Sequence, residues 1–189
     1  MGRVSRAEAA RHRDEVVDAA AKLFRQRGVD GVSVADLMAE VGLTHGGFYR
    51  QFASKEALAG EAASTASQQL SGTISEIVDS HPDDHVAARN AVVDNYLSVR
   101  HRDNPGSGCP VSALNADAAR AEPEAPLRAA YVRSVEGFVD KLAFGDTDRD
   151  EHIATLCTLV GALILARATV DDNDLSEEIL RAAKAKLTS

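Results

Sequence analysis

VSVADLMAEVGLTHGGFYRQFASKEAL, residues 32–58, is the stretch from which the rest of the chain is interpreted. Val34, Leu37, Met38 and Val41 recur at helical spacing, and Gly42 ends the run. Ser33 stands where a helix cap belongs, so the pattern predicts about two turns of helix over residues 35–41. Gly42 supplies the positive φ of a C-terminal cap, and Leu43 is placed to bury between this helix and the next. Thr44 is the N-cap candidate of a second helix, its hydroxyl holding backbone N–H groups that then face a phosphate. Phe48 and Phe52 repeat at i, i+4 and mark the buried side, which leaves Tyr49 and the planar donor fork of Arg50 outside. His45, Gly46 and Gly47 occupy the first turn, where such a helix approaches base edges. Two consecutive glycines in a helix cost roughly 1 kcal/mol each relative to alanine, and close backbone approach to DNA is a reason to bear it. Ser54 and Lys55 read as the cap and start of a third helix that brings a cation to the phosphate chain. The residues expected to meet DNA are therefore Ser33, Thr44, His45, Gly46, Gly47, Tyr49, Arg50 and Lys55.

A longer segment, residues 16–58, resembles the DNA-binding domain of TetR-type transcriptional regulators. The resemblance is carried by AAAKLFRQRGVDGVSVADLMAEVGLTHGGFYRQFASKEAL: the apolar residues of a first helix, the Gly28 turn, the helix-turn-helix, and the ending Y-x-x-F-x-S-K-E-x-L, all in order. It implies a homodimeric, all-helical repressor in which a small molecule bound to a larger C-terminal domain releases the DNA.

The charge distribution agrees with that division. The 189-residue chain carries a net charge of −8. Residues 1–55 hold 9 Lys/Arg against 7 Asp/Glu, a balance of +2; residues 56–189 hold 12 against 22, a balance of −10. The expected domains are thus a helix-turn-helix domain over 1–55 and a helical regulatory and dimerisation domain over 56–189. Arg3, Arg6, Arg11 and Arg13 form a basic arm at the start of a first helix over residues 7–27, where they can reach phosphate or the minor groove. Val16, Val17, Ala20, Leu23 and Phe24 share one face of that helix.

Beyond residue 54 the pattern is helix after helix: 54–79, 82–101, a loop RDNPGSG, then 110–121, 124–144, 149–169 and 174–186. The penultimate helix carries Ile153, Leu156, Cys157, Val160, Leu163, Ile164 and Ala168, a face too broad for one neighbour, with Gly161 and Ala162 small enough for close packing. Surplus apolar surface implies a second copy, and a two-fold dimer suits a palindromic operator. Arg167 and several threonines interrupt this run, which argues for an interface helix over a membrane span. The charged N-terminus reads as no leader and two cysteines give no disulfide framework, so a cytoplasmic protein is expected.

Gly108-Cys109-Pro110 joins the loop to the next helix. Proline favours the first helical position, so Cys109 sits at or beside the N-cap, where the helix dipole lowers a thiol pKa; the alternative is a small buried cysteine filling a corner. Similar G-C-P segments occur in some TetR-type regulators, a few of which sense oxidants through cysteine. Cys157 is expected to be packed. A ligand pocket among the middle helices draws on Val92, Tyr96, Val99, Leu114, Leu127, Tyr131, Val135, Phe138 and Leu163; Tyr96, Leu114, Tyr131 and Phe138, with Cys109, are the leading ligand or sensing residues. His81 and His85 lack a third ligand, so no metal, cofactor or catalytic residue is expected. Two other functions stay open: a helical protein-interaction module, and a cysteine enzyme using Cys109 with His101 or His152 as base.

Overall fold

The computed structural model describes residues 6–145 and 148–189, and helices are its only regular secondary structure there. Arg3 of the expected basic arm lies outside the described residues. Helix α1 runs Arg6–Arg27 and α2 runs Val34–Glu40. A 3-10 segment, His45–Arg50, follows and is termed the recognition helix. The long α3, Lys55–Asp79, connects to α4, His85–Tyr96, and α5, Val99–Asp103. After a 3-10 turn at Pro105–Ser107 come α6, Pro110–Ala113, α7, Asn115–Arg120, α8, Pro126–Lys141, α9, Arg149–Ala168, and α10, Asn173–Leu187.

Most boundaries fall where caps dictate. Ser33, Ser54, Asp84, Asp148 and Asp172 each accept a hydrogen bond from the backbone N–H three residues on. Two expected helices are divided. The one over 82–101 breaks because Ser98 starts α5 by accepting from His101 N–H at 3.1 Å. The one over 110–121 breaks at Leu114, whose side chain is drawn into the core beneath α1. The helix expected from residue 124 begins at Pro126, since the residue before a proline is held extended, as Ala125 is.

Two apolar cores stack along α3. One gathers the inner faces of α1, α2 and the recognition helix, including Val16, Phe24, Leu37 and Phe48, against Leu58 to Ala66 of α3, and takes in Leu114, Leu127 and Ala130 from beyond. The other gathers Ile74, Val92, Tyr96, Phe138, Leu159 and Leu163 from α3, α4, α8 and α9, with Leu180 and Leu187 of α10. The half-buried Tyr131 touches both cores. Helix α9 is long and apolar enough to cross a membrane by length and composition, yet Leu156, Leu159, Leu163 and Ala166 are spent on the second core.

The end of α1 is locked to α7. Gly28 takes φ +73°, and Val29 N–H donates to Asp117 Oδ1 at 2.9 Å. A Cβ at Gly28 would lie 3.3 Å from that same carboxylate oxygen. Gly28→Ala is therefore expected to cost about 1–2 kcal/mol, the strain of a left-handed alanine, read as a lowered urea midpoint at unchanged m-value.

Candidate nucleic-acid interface and regulatory core

The helix-turn-helix is built from its turn outward. Gly42 at φ +68° reverses the chain, and Leu43 N–H donates to Met38 O at 2.8 Å, closing the end of α2. At the other end of α2, Ser33 and Asp36 form a reciprocal capping box: Asp36 N–H donates to Ser33 Oγ at 3.1 Å and Ser33 N–H to Asp36 Oδ2 at 2.9 Å. Thr44 occupies the expected N-cap position, but its hydroxyl makes no capping bond. The tighter 3-10 winding explains the difference, because Gly47 N–H already donates to the Thr44 carbonyl at 2.9 Å.

Phe48 is fully buried and packs on Phe52, ring centroids 5.2 Å apart, which fixes the roll of the recognition helix. Tyr49 is thereby turned out and is 64 % exposed. Its ring stands edge-on to His45 at 6.0 Å and to Phe48 at 5.1 Å, so it is braced although exposed. Thr44, His45, Gly46 and Arg50 are exposed beside it, and Gly47 and Lys55 are half-buried. Neither glycine of the pair has positive φ. Among the described residues, a Cβ at Gly46 would meet nothing within 4 Å, and one at Gly47 only the flexible end of Met38, at 3.4 Å. Neither the backbone conformation nor internal packing requires glycine there.

Of the expected arm, Arg11 pairs with Glu15 along α1 at 3.6 Å. Arg13 is turned inward as a brace instead of outward to phosphate: it grips Glu61 of α3 at 2.6 Å and lies over the Phe52 ring at 4.8 Å.

Residues 16–62, which run from within α1 through α2 and the recognition helix into the first turns of α3, match the family model described as "Bacterial regulatory proteins, tetR family". Over residues 16–62 the chain is a TetR-type DNA-binding segment. It is similar to the HTH-type transcriptional repressor KstR2 of Rhodococcus jostii, 32 % identical over 87 residues; that stretch covers 46 % of this chain and 43 % of the repressor's length. An uncharacterized HTH-type transcriptional regulator of Mycobacterium tuberculosis is 26 % identical over 171 residues, 84 % of this chain and 86 % of the relative. Among solved structures, a TetR regulator from Chloroflexus aurantiacus shares the fold with TM-score 0.79 and 24 % identity, over 96 % of this chain and 94 % of that one. Escherichia coli NemR in its reduced form does so with TM-score 0.75 and 20 % identity, over 94 % and 95 %. A chain built around this segment is a DNA-binding transcriptional regulator.

In the C-terminal part of the regulator, the residues expected to line a pocket separate into groups. Phe138 lines a cavity of about 200 Å³ between α3, α6 and α8, together with Leu70, Ile74 and Val111. Tyr96 and Val92 line another of about 180 Å³ on the other side of Leu70 and Ile74. The Tyr96 and Phe138 rings, 5.5 Å apart, stand between the two. Leu114 and Leu127 instead complete the core of the DNA-binding part. Tyr131 donates its hydroxyl to Val111 O at 2.9 Å. Leu70 and Ile74 were missed because α3 read only as a connector; their i, i+4 spacing was the available signal.

Cys109 is the residue before α6, as expected, but it is fully buried, and burial pushes its thiol pKa up. Of the two readings of this residue, the structure matches the small buried cysteine filling a corner and not the dipole-activated thiolate: α6 is four residues long, and desolvation outweighs so short a helix end. Cys157 is exposed on the single chain, not packed within it. The Tyr96 hydroxyl faces the Cys109 thiol and the Ser112 hydroxyl yet closes no well-formed hydrogen bond with either. Among the described residues, no cluster of His, Cys, Asp and Glu could hold a metal; His81 turns Nδ1 to Ile77 O at 2.9 Å.

His101 is held at both nitrogens. Nδ1 lies 2.7 Å from Tyr96 O and must carry the proton, while Nε2 accepts from Cys109 N–H at 3.0 Å. With its lone pair engaged, it is not disposed to act as base for the Cys109 thiol. Burial, helped by Arg167, Arg100 and Arg25, lowers its pKa to about 4. A histidine that is neutral when folded and ordinary when unfolded favours unfolding as pH falls from about 6.5 to about 4, because the unfolded chain then binds the extra proton. The wild-type protein is expected to lose stability across that window, and His101→Gln to lose less, as read from urea midpoints between pH 7 and pH 4.

Proposed function

We propose that this regulator acts as a homodimeric repressor of a palindromic operator, with the DNA-binding domain at residues 1–55 and the regulatory and dimerisation domain at 56–189. The observation that carries the reading is the glycine pair at Gly46 and Gly47, which no packing among the described residues requires, set beside the outward Tyr49. Side-chain-free backbone at the front of the recognition helix suits contact with a DNA surface. Tyr49, Arg50 and Lys55, with Thr44 and Ser33, surround it as phosphate and sugar contacts, and His45 stands at the base edges. Exposed Ile153, Cys157 and Leu165 along α9, with the open Gly161, supply an apolar stripe for a second copy. The setting is the cytoplasm, where operator DNA is found.

Release comes from a small molecule that enlarges the cavities beside Tyr96 and Phe138. Each lies below the roughly 300–1,000 Å³ of common ligand sites, so occupancy has to move α3 relative to α4 and α8. Release by modification of Cys109 has weaker support, since the thiol is both buried and protonated.

Selection of bound duplexes from a random pool tests the reading, with an inverted repeat as the expected product. On that operator, Tyr49→Ala and Lys55→Ala are each expected to weaken binding about tenfold at unchanged melting temperature, while His45→Ala shifts the preferred bases. Wild-type affinity in both of the first two variants would overturn the docking. In a Cys157→Ala background, Cys109 is expected to resist iodoacetamide until the chain is unfolded; rapid alkylation of the native protein would revive the thiol route.

A further inference from the structure

Three arginines converge where α1 meets the C-terminal core, and a carboxylate answers only one of them. Arg25, near the end of α1, is 5 % exposed. It donates Nε to Ala21 O, Nη1 to Gly108 O and Nη2 to Gln69 Oε1, each at 2.8 Å. Arg167, near the end of α9, donates Nε to Arg102 O at 3.1 Å, Nη2 to His101 O at 2.8 Å and Nη1 to Ser112 Oγ at 3.1 Å. Every one of these acceptors is uncharged. Among the described residues neither guanidinium pairs with a carboxylate, whereas Arg102 is held by Asp103 at 2.7 Å. A guanidinium carries five N–H groups, so with three engaged each of Arg25 and Arg167 keeps two to offer.

Charge taken from water without a counter-charge is costly, and the local field makes it worse. Burial lowers the pKa of Arg25, and the charge of Arg167 acts in the same direction. The Cys109 thiol, which as a thiolate would answer them, is kept protonated by its own burial. The cluster thus holds a surplus of positive charge where α1 meets a C-terminal part whose overall balance is strongly negative.

A pocket of about 590 Å³ opens on this cluster, and its lining combines Arg25, Arg102 and Arg167 with the apolar Ala113, Ile164 and Val170. Its only wall carboxylate among the described residues is Asp103, already engaged by Arg102. It shares no wall residue with the apolar cavities beside Tyr96 and Phe138. We propose that this pocket binds an organic anion, its oxyanion head between Arg25 and Arg167 and its apolar body against Ile164 and Val170. Carboxylate and phosphate heads share the chemistry that matters, a planar or tetrahedral set of oxygens for a donor fork. Arg25 and Gln26 belong to α1 and the remaining walls to α5, α6, α9 and the segments beside them, so an occupant ties the DNA-binding core to the regulatory core. That last consequence rests on the regulatory reading; the binding itself does not.

Calorimetric titration of the whole chain at low chloride, with hexanoate, hexyl phosphate and the neutral hexanamide, tests the proposal. One site per chain is expected for each anion, at least tenfold tighter than for the amide. Arg25→Gln and Arg167→Gln should each weaken it at least tenfold, and Arg133→Gln, in the wall of the cavity that contains Phe138, should leave it unchanged. Equal binding of the amide, or loss of binding in Arg133→Gln alone, would overturn it. Should the Arg25 or Arg167 variants fail to fold, the unaltered chain still decides: their side-chain N–H resonances are expected to shift on titration with hexanoate, and resonances that stand still refute the site. Operator binding measured on the same preparations without anion reports separately on the regulatory reading.

Discussion

The close approach of α3 to α8 is the contact on which the arrangement of the molecule depends. A Cβ added at Gly60 would come within 2.8 Å of the Pro126 side chain and 2.9 Å of its backbone, so only glycine lets the two helices meet at that depth. Around it α3 is almost free of bulk, with Ala59, Ala62, Ala63 and Ala66 buried and Ser67 at 2.5 Å from Ser134 of α8. Small residues bring backbones together and leave little side-chain entropy to lose. The contact begins inside the first core, among Leu58, Ala63, Leu127 and Ala130, and runs toward Ile74 and Phe138 of the second, so α3 is a shared wall and neither core is complete without it.

Polar bonds then fix α1 on this scaffold. Arg13 reaches Glu61, Arg25 reaches Gln69 and Gly108, and the backbone beyond Gly28 reaches Asp117. These anchors lie along α1 from its middle to its end and attach it to three separate parts of the chain. A displacement of α6 or α7 therefore bears on α1 through directional bonds, which transmit geometry more strictly than apolar contacts do.

The amphipathic periodicity of residues 34–52 made the helix-turn-helix legible, because Leu37, Met38, Phe48 and Phe52 all go inside and Gly42 takes the left-handed turn. Ser33 and Ser54 marked helix starts for the same local reason: a cap needs only its own next turn. What escaped the sequence depends on distant partners. Leu114 and Leu127 look like any pocket leucine until the chain packs them beneath α1. Arg13 reads as a surface cation because Glu61, its partner, is 48 residues away. Cys109 illustrates competing physics, since its place before α6 and the possibility of burial were both visible, while only the fold decides that burial outweighs the helix end. Arg167 was visible as a charge in an apolar helix, but its neighbours Arg25 and Arg102 are brought to it only by the fold.

Helix α3 has 25 residues. At ~1.5 Å per residue it is a rod of about 37 Å, and a tilt of roughly 5° moves one tip by about 3 Å relative to the other. That is close to the ~3.4 Å axial step between successive nucleotides on one strand. A rotation of a few degrees is thus enough, at the rod's far end, to put a reading head one rung out of step.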